Sequence, residues 1–134
     1  MSRGPALAAA AESFVGAPFR FRGRDPRSGL DCVGLVAAAL EAIGAPAPPI
    51  APYTFRQRDF AAQIAGAALA GFDEVAGIPQ AGDVLLLRPG PAQVHLGVVG
   101  AGGLIHAHAG LGRVVQTPLP PAWPVERHWR LRED

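Results

Sequence analysis

The chain changes its hydrophobic period once, and that switch limits the folds open to it. Up to about residue 70 apolar residues recur at helical spacing, and from Gly82 onward they alternate or run in short blocks. Residues 5–15 predict a helix closed by Gly16. Residues 17–30 are rich in Arg, Gly and Pro and read as a loop anchored by Phe19 and Phe21. A second helix is predicted from Cys32 to Ile43, with Asp31 as its N-cap and Gly44 at its end. Its buried stripe is Leu35, Val36, Ala39, Leu40 and Ile43. A Pro-rich connector follows over 45–52, then a third helix over 56–70 with Phe60, Ile64, Ala67 and Ala68 on one face. Strands are predicted over 82–88, 93–99, 104–108, 113–117 and 125–131, with Gly100–Gly103 as a hairpin loop. Helices followed by antiparallel strands define an α+β domain. At 134 residues the expectation is one domain, 1–134, with a core that needs neither disulfide nor metal.

Charge excludes several function classes. The formal net charge is +1, which gives no general attraction to nucleic acid or anionic membranes. No stretch is long and apolar enough to span a bilayer, so membrane insertion is not expected. There is no Gly-rich phosphate loop, no Ser nucleophile elbow and no basic-aromatic pattern for nucleic acid. The run Pro5–Ala11 has the look of a signal segment, yet it continues into Glu12-Ser13-Phe14-Val15 with helical period, so no signal peptide is expected. Arg20, Arg22, Arg24 and Arg27 crowd into eight residues. They read either as a solvated loop or as a rim that attracts carboxylates.

The chain has one cysteine, Cys32, at the predicted start of the second helix. A free cysteine often serves as a small buried apolar residue. At a helix N-terminus, however, the macrodipole and unpaired N–H groups are expected to lower its pKa and make a thiolate available at neutral pH. Two histidines downstream, His95 and His106, lie in apolar strand-like runs, and a thiol with imidazoles is the arrangement of a cysteine hydrolase. In the hairpin, residues of equal parity share a face. Pairing of Val99 with Leu104 would set His95 opposite His108 and make His106 its diagonal neighbour. Helix 32–43 is expected to cover that face and bring Cys32 to His95. Parity leaves open whether His106 or His108 is the third group. Three imidazoles could also hold zinc, although the thiol would then lack a base. His128 reads as a surface group, Asp83 as the closure of a turn, and Trp123 and Trp129 as packing residues.

In order and spacing these segments resemble the NlpC/P60 family of papain-like cell-wall cysteine peptidases. The family's Gly-x-Pro-Tyr corresponds to Gly16-Ala17-Pro18-Phe19, and its Asp-Cys-Ser-Gly-Leu-Val to Asp31-Cys32-Val33-Gly34-Leu35-Val36. Gly82-Asp83-Val84 matches a Gly-Asp-Leu strand, His95-Leu96-Gly97-Val98 matches His-Val-Gly-Ile, and Leu104-Ile105-His106-Ala107 matches the segment of the third group. Pro52-Tyr53, the short length and the tail after His106 most resemble the phage-tail and gene-transfer-agent branch.

The resemblance implies a papain-like fold and a Cys32–His95–His106 triad acting on peptidoglycan stem peptides, between D-glutamate and the following diamino acid. It implies no metal or organic cofactor. With no signal peptide expected, the chain is expected to be made in the cytoplasm and to act at the cell wall through a phage-like particle with tail proteins as partners, after lysis, or by another export route. Asp31, Phe19 and Val33 are the expected substrate-binding positions. Two of them depart from the family: Phe19 lacks the family's tyrosine hydroxyl, and Val33 replaces a serine. Those departures leave room for a non-catalytic tail or wall-binding module. The triad chemistry would equally suit an amidase, deamidase or acyltransferase on another substrate.

Overall fold

The computed structural model describes residues 2–45, 71–91 and 93–133. The predicted helix over 56–70 and connector residues 46–52, Pro52-Tyr53 included, lie outside them. The element order is α1 (Arg3–Ser13), β1 (Arg24–Asp25), β2 (Gly29–Leu30), α2 (Cys32–Ala42), β3 (Phe72–Glu74), β4 (Val84–Leu87), β5 (His95–Val99), β6 (Leu104–His108), β7 (Arg113–Thr117) and β8 (Val125–Leu131). Strands β3 to β8 form one antiparallel sheet in the order β3-β8-β4-β5-β6-β7. The helical segments precede the sheet, so the α+β expectation holds. Among the described residues no helix is long and apolar enough to cross a membrane.

Helix α2 starts where its cap dictates. The Asp31 carboxylate accepts the Gly34 N–H at 2.7 Å, closing one of the donors a helix start leaves open. The helix packs beside α1, and its Leu35 and Ala39 share the main core with Leu7 and Ala11, all fully buried. Gly34 is required by close approach: a Cβ there would strike the Gly23 carbonyl oxygen of the preceding loop. Of the predicted stripe, Val36 and Ile43 are only partly buried, and Ala38 takes a buried place instead.

Strand alternation divides the sheet into two faces. Val84, Leu86, Leu96, Val98, Ile105 and Ala107 join α1 and α2 in the main core. Leu85, Leu87, Val99 and Leu104 form a second apolar layer on the other face, with Trp123 packed against it. The hairpin pairs Val99 with Leu104, as expected, and its tip is tied to α1 by the Ala101 N–H donating to Glu12 Oε1 at 3.0 Å. His95 and His106 share the parity of Val99 and Leu104. Helix α2 therefore backs the opposite face from the imidazoles, correcting the expectation that it covers them. The reason is the apolar parity of β5 and β6: Leu96, Val98, Ile105 and Ala107 offer the helix a wholly apolar surface.

Two further features differ from the sequence reading. The loop over 17–30 contains the two-residue strands β1 and β2, paired Arg24 to Leu30 and Asp25 to Gly29. His128 is buried, not on the surface. Its Nε2 lies 2.6 Å from Asp83 Oδ2, and Arg130 donates to both oxygens of the same carboxylate at 2.9 Å. Asp83 also accepts the Gln80 N–H at 2.8 Å, so it closes the turn as predicted. Although burial opposes ionisation most strongly, the bonds from Arg130, Gln80 and His128 hold the Asp83 carboxyl below its usual range. Pairing with Leu85 across β8 and β4 directs His128 onto the sheet, where a strand read in isolation looks exposed.

Candidate active site

Two backbone elements meet at Cys32: the first turn of α2 and the first residues of β5. The thiol is 2 % exposed. The N–H groups of Leu96, of Val33 and of Cys32 itself face the sulfur and favour its anion. Leu96 directly follows His95, so the helix start reaches the end of β5 that carries this imidazole. Among the described residues no hydrogen bond joins the thiol to His95.

The histidines are positioned by strand register. His95 Nε2 and His106 Nδ1 share a hydrogen bond of 2.8 Å, with the rings edge-on at 84°. His106, not His108, is therefore the bonded neighbour of His95. On its other side His106 Nε2 lies 2.9 Å from Thr117 Oγ1. Trp123 stands edge-on to both rings, 5.5 Å from His95 and 5.9 Å from His106 between centroids. It thus covers the face that α2 leaves uncovered. His108 Nδ1 accepts the Leu111 N–H at 3.0 Å. With these nitrogens engaged, the three imidazoles do not converge on one point, and the zinc arrangement is not formed. Among the described residues no group of His, Cys, Asp and Glu is disposed to hold a metal.

Electrostatics at the site run against the expectation of a preformed thiolate. Burial, and then the Asp31 charge, push the Cys32 thiol up to about 12, outweighing the three N–H groups. Burial, followed by His106 and His108, pushes His95 down to about 3. Burial, followed by His108, lowers His106 to about 4. These shifts favour the neutral thiol and the neutral imidazoles at neutral pH. The helix N-terminus alone cannot ionise the sulfur because burial removes the water that would solvate the anion.

The imidazole shifts carry a stability consequence. Below the ordinary imidazole value of 6.5 the unfolded chain binds more protons than the folded one. The contribution of both rings is thus fully present above 6.5 and is lost as pH falls toward about 4 and about 3. Urea midpoints should be lower at about pH 5 than at about pH 7.5, and the dependence should weaken in His95→Phe. An unchanged pH dependence in that variant would show that His95 titrates normally.

The expected substrate-binding positions differ in setting. Phe19 is half-buried and lines a cleft of about 260 Å³ with His95, His108, Pro89 and Trp123. Val33 is partly buried against the core. Asp31 is fully buried, and its oxygens accept from the N–H groups of Arg22 and Gly34 and from Arg24 Nη1. These bonds knit the Arg-rich loop to α2. Thr117 was not singled out from the sequence, yet its signal was there. A four-residue turn over 109–112 pairs His108 with Arg113 and puts Thr117 on the parity of His106.

A fold with a thiol at a helix start, abutting a strand whose histidine bonds a second one on the neighbouring strand, defines a papain-like α+β domain. The family model described as "NlpC/P60 family" matches residues 16–131, and the chain belongs to that family. Among solved structures, the NlpC/p60 domain of the peptidoglycan hydrolase SagA is similar, with 25% identity and a TM-score of 0.64 over 96% of this chain and 98% of that one. The P60 domain of the antigen MAP1204 from M. avium subspecies paratuberculosis has 18% identity and a TM-score of 0.63, over 94% and 91% of the two chains. The peptidoglycan hydrolase RipB from Mycobacterium tuberculosis has 23% identity and a TM-score of 0.64, over 96% of this chain and 64% of that one. No protein of curated function matches the sequence.

Proposed function

We propose that this chain is a cysteine peptidase that hydrolyses an amide bond of peptidoglycan stem peptides, between D-glutamate and the following diamino acid. The observation that carries the reading is the bond between His95 and His106, with His95 at the start of the strand whose Leu96 N–H faces the Cys32 sulfur. Family membership and the similar hydrolases SagA and RipB support the substrate class.

In this reading Cys32 Sγ attacks the amide carbonyl while His95 takes its proton. His95 Nε2 is engaged by His106, so Nδ1 is the nitrogen left for the thiol. With the thiol and imidazole both neutral at rest, proton transfer accompanies attack, as general base catalysis requires. The Cys32 backbone N–H at the helix start contributes to stabilising the oxyanion. Collapse of the tetrahedral intermediate breaks the C–N bond, and His95 returns the proton to the leaving amine. Water, deprotonated by His95, then cleaves the thioester. Phe19 forms a wall of the cleft beside His95, without the hydroxyl found in relatives by resemblance. The Arg-rich loop adjoins the helix start and suits the carboxylates of a stem peptide.

Mass spectrometry of defined stem peptides after incubation with the protein tests the reading. The expected result is two products whose masses sum to the substrate plus one water, split after D-glutamate. An intact stem peptide with a reduced, accessible thiol would instead turn attention to another amide or to a non-catalytic module. Delivery by a phage-like tail particle is a further proposal that rests on the sequence motifs. Co-purification of the full chain with such particles would support it, and its consistent absence from them would sink it.

A further inference from the structure

The polar chain that begins at His95 does not end at His106. His106 is 2 % exposed, and its outer nitrogen, Nε2, reaches Thr117 Oγ1 at 2.9 Å. The placement follows from the sheet. Strand β7 pairs Val115 with His106 and Thr117 with Leu104, so Thr117 is the diagonal neighbour of His106 on one face. The hydroxyl is thereby held by strand register.

We propose that Thr117 is a positioning residue for the histidine pair. Its hydroxyl accepts the Nε2–H of His106 and keeps the lone pair of His106 Nδ1 aimed at His95. This rests on the reading of His95 as the base. For His95 to accept a proton at Nδ1, its own hydrogen must sit on Nε2. That hydrogen is then donated to His106 Nδ1, across the 2.8 Å contact. His106 in turn carries its hydrogen on Nε2, where Thr117 is the acceptor. Once His95 becomes imidazolium, it still donates through Nε2, so neither ring exchanges tautomers during the reaction.

Removing the hydroxyl leaves a buried N–H without an acceptor, which is costly. The reversed arrangement, with hydrogen on His106 Nδ1 and on His95 Nδ1, leaves only a bare ring nitrogen at the vacated place. It is then favoured, and it blocks the nitrogen that must take the thiol proton. Trp123 covers both rings but offers them no such acceptor in these edge-on contacts, so it cannot replace the hydroxyl.

The test is long-range 15N–1H NMR of the imidazoles in the full chain at about pH 7, where both rings are expected to be neutral. It is run on wild type, Thr117→Val and Thr117→Ser, alongside kcat and KM on a stem peptide. Wild type should show Nε2–H on both His95 and His106. Thr117→Val should move both to Nδ1–H and lower kcat about 100-fold, with KM within about 2-fold. Thr117→Ser should restore both readouts. Hydrogen on His106 Nδ1 in wild type would overturn the proposal, as would an unchanged tautomer in a folded Thr117→Val protein. If Thr117→Val does not fold, the wild-type tautomer and the Thr117→Ser kinetics still decide. If wild type fails to cleave stem peptides, the proposed function fails while the NMR result still judges Thr117.

Discussion

Cys32→Ala will leave the fold standing and remove stem-peptide hydrolysis, lowering kcat/KM on the order of 10⁴-fold or more. The sulfur is the chain's one thiol, and no serine nucleophile motif stands in for it. Its loss removes few contacts from a well-packed helix start, so stability should change by about 1 kcal/mol or less. The same site makes a second measurement informative. A neutral thiol, 2 % exposed and pushed up to about 12, should alkylate slowly at neutral pH in the free protein. Rapid alkylation at about pH 6 would show an ion pair already formed at rest. Hydrolysis surviving in Cys32→Ala would place the nucleophile elsewhere and end the peptidase reading of this residue.

Asp31→Ala will destabilise the chain by about 1–3 kcal/mol, the range for leaving a buried backbone donor unsatisfied when a helix cap is lost. The carboxylate is fully buried and accepts from Gly34 N at 2.7 Å, Arg22 N at 2.7 Å and Arg24 Nη1 at 3.1 Å. Its loss strips the α2 cap and orphans the donors of the loop that packs on Gly34. Arg24 can turn to water because its side chain is 36% exposed, whereas the buried Gly34 N–H cannot, so the backbone donor carries most of the cost. Urea denaturation with an unchanged m-value would measure this. A loss below about 1 kcal/mol would show that the carboxylate is not a structural tie. Asp31→Asn separates charge from shape. Because the Asp31 charge is the second cause of the raised Cys32 value, the thiol should titrate below about 12 in that variant. Burial, the larger cause, should still keep it above the ordinary 9.0.

These two residues also show what a linear reading can and cannot reach. Asp31 as N-cap of α2 was legible because a cap is set within three residues of chain. The His95–His106 neighbourhood was legible because alternation and one short hairpin loop set parity and register together. The charge state of Cys32 was not. Helix position predicts a lowered pKa, but burial of Cys32 in the main core opposes it, and burial is set by the assembled fold. Strand β3 was likewise hidden. It has three residues and exists through pairing with β8 and the ion pairs Asp73–Arg132 and Glu74–Arg127. His128 was misread for the same reason, since its partner Asp83 stands 45 positions away.

The sequence by itself determined the α+β order, the capped helix start bearing the thiol, and the parity that gathers the imidazoles on one face. Each of these depends on interactions within a few residues or across one tight loop. The tertiary structure alone decided that α2 lies behind the opposite sheet face, that Trp123 covers the histidines, and that Thr117 ends their hydrogen-bond chain. It also pushes the thiol up and the imidazoles down, because burial and cross-strand contacts are properties of the assembled sheet.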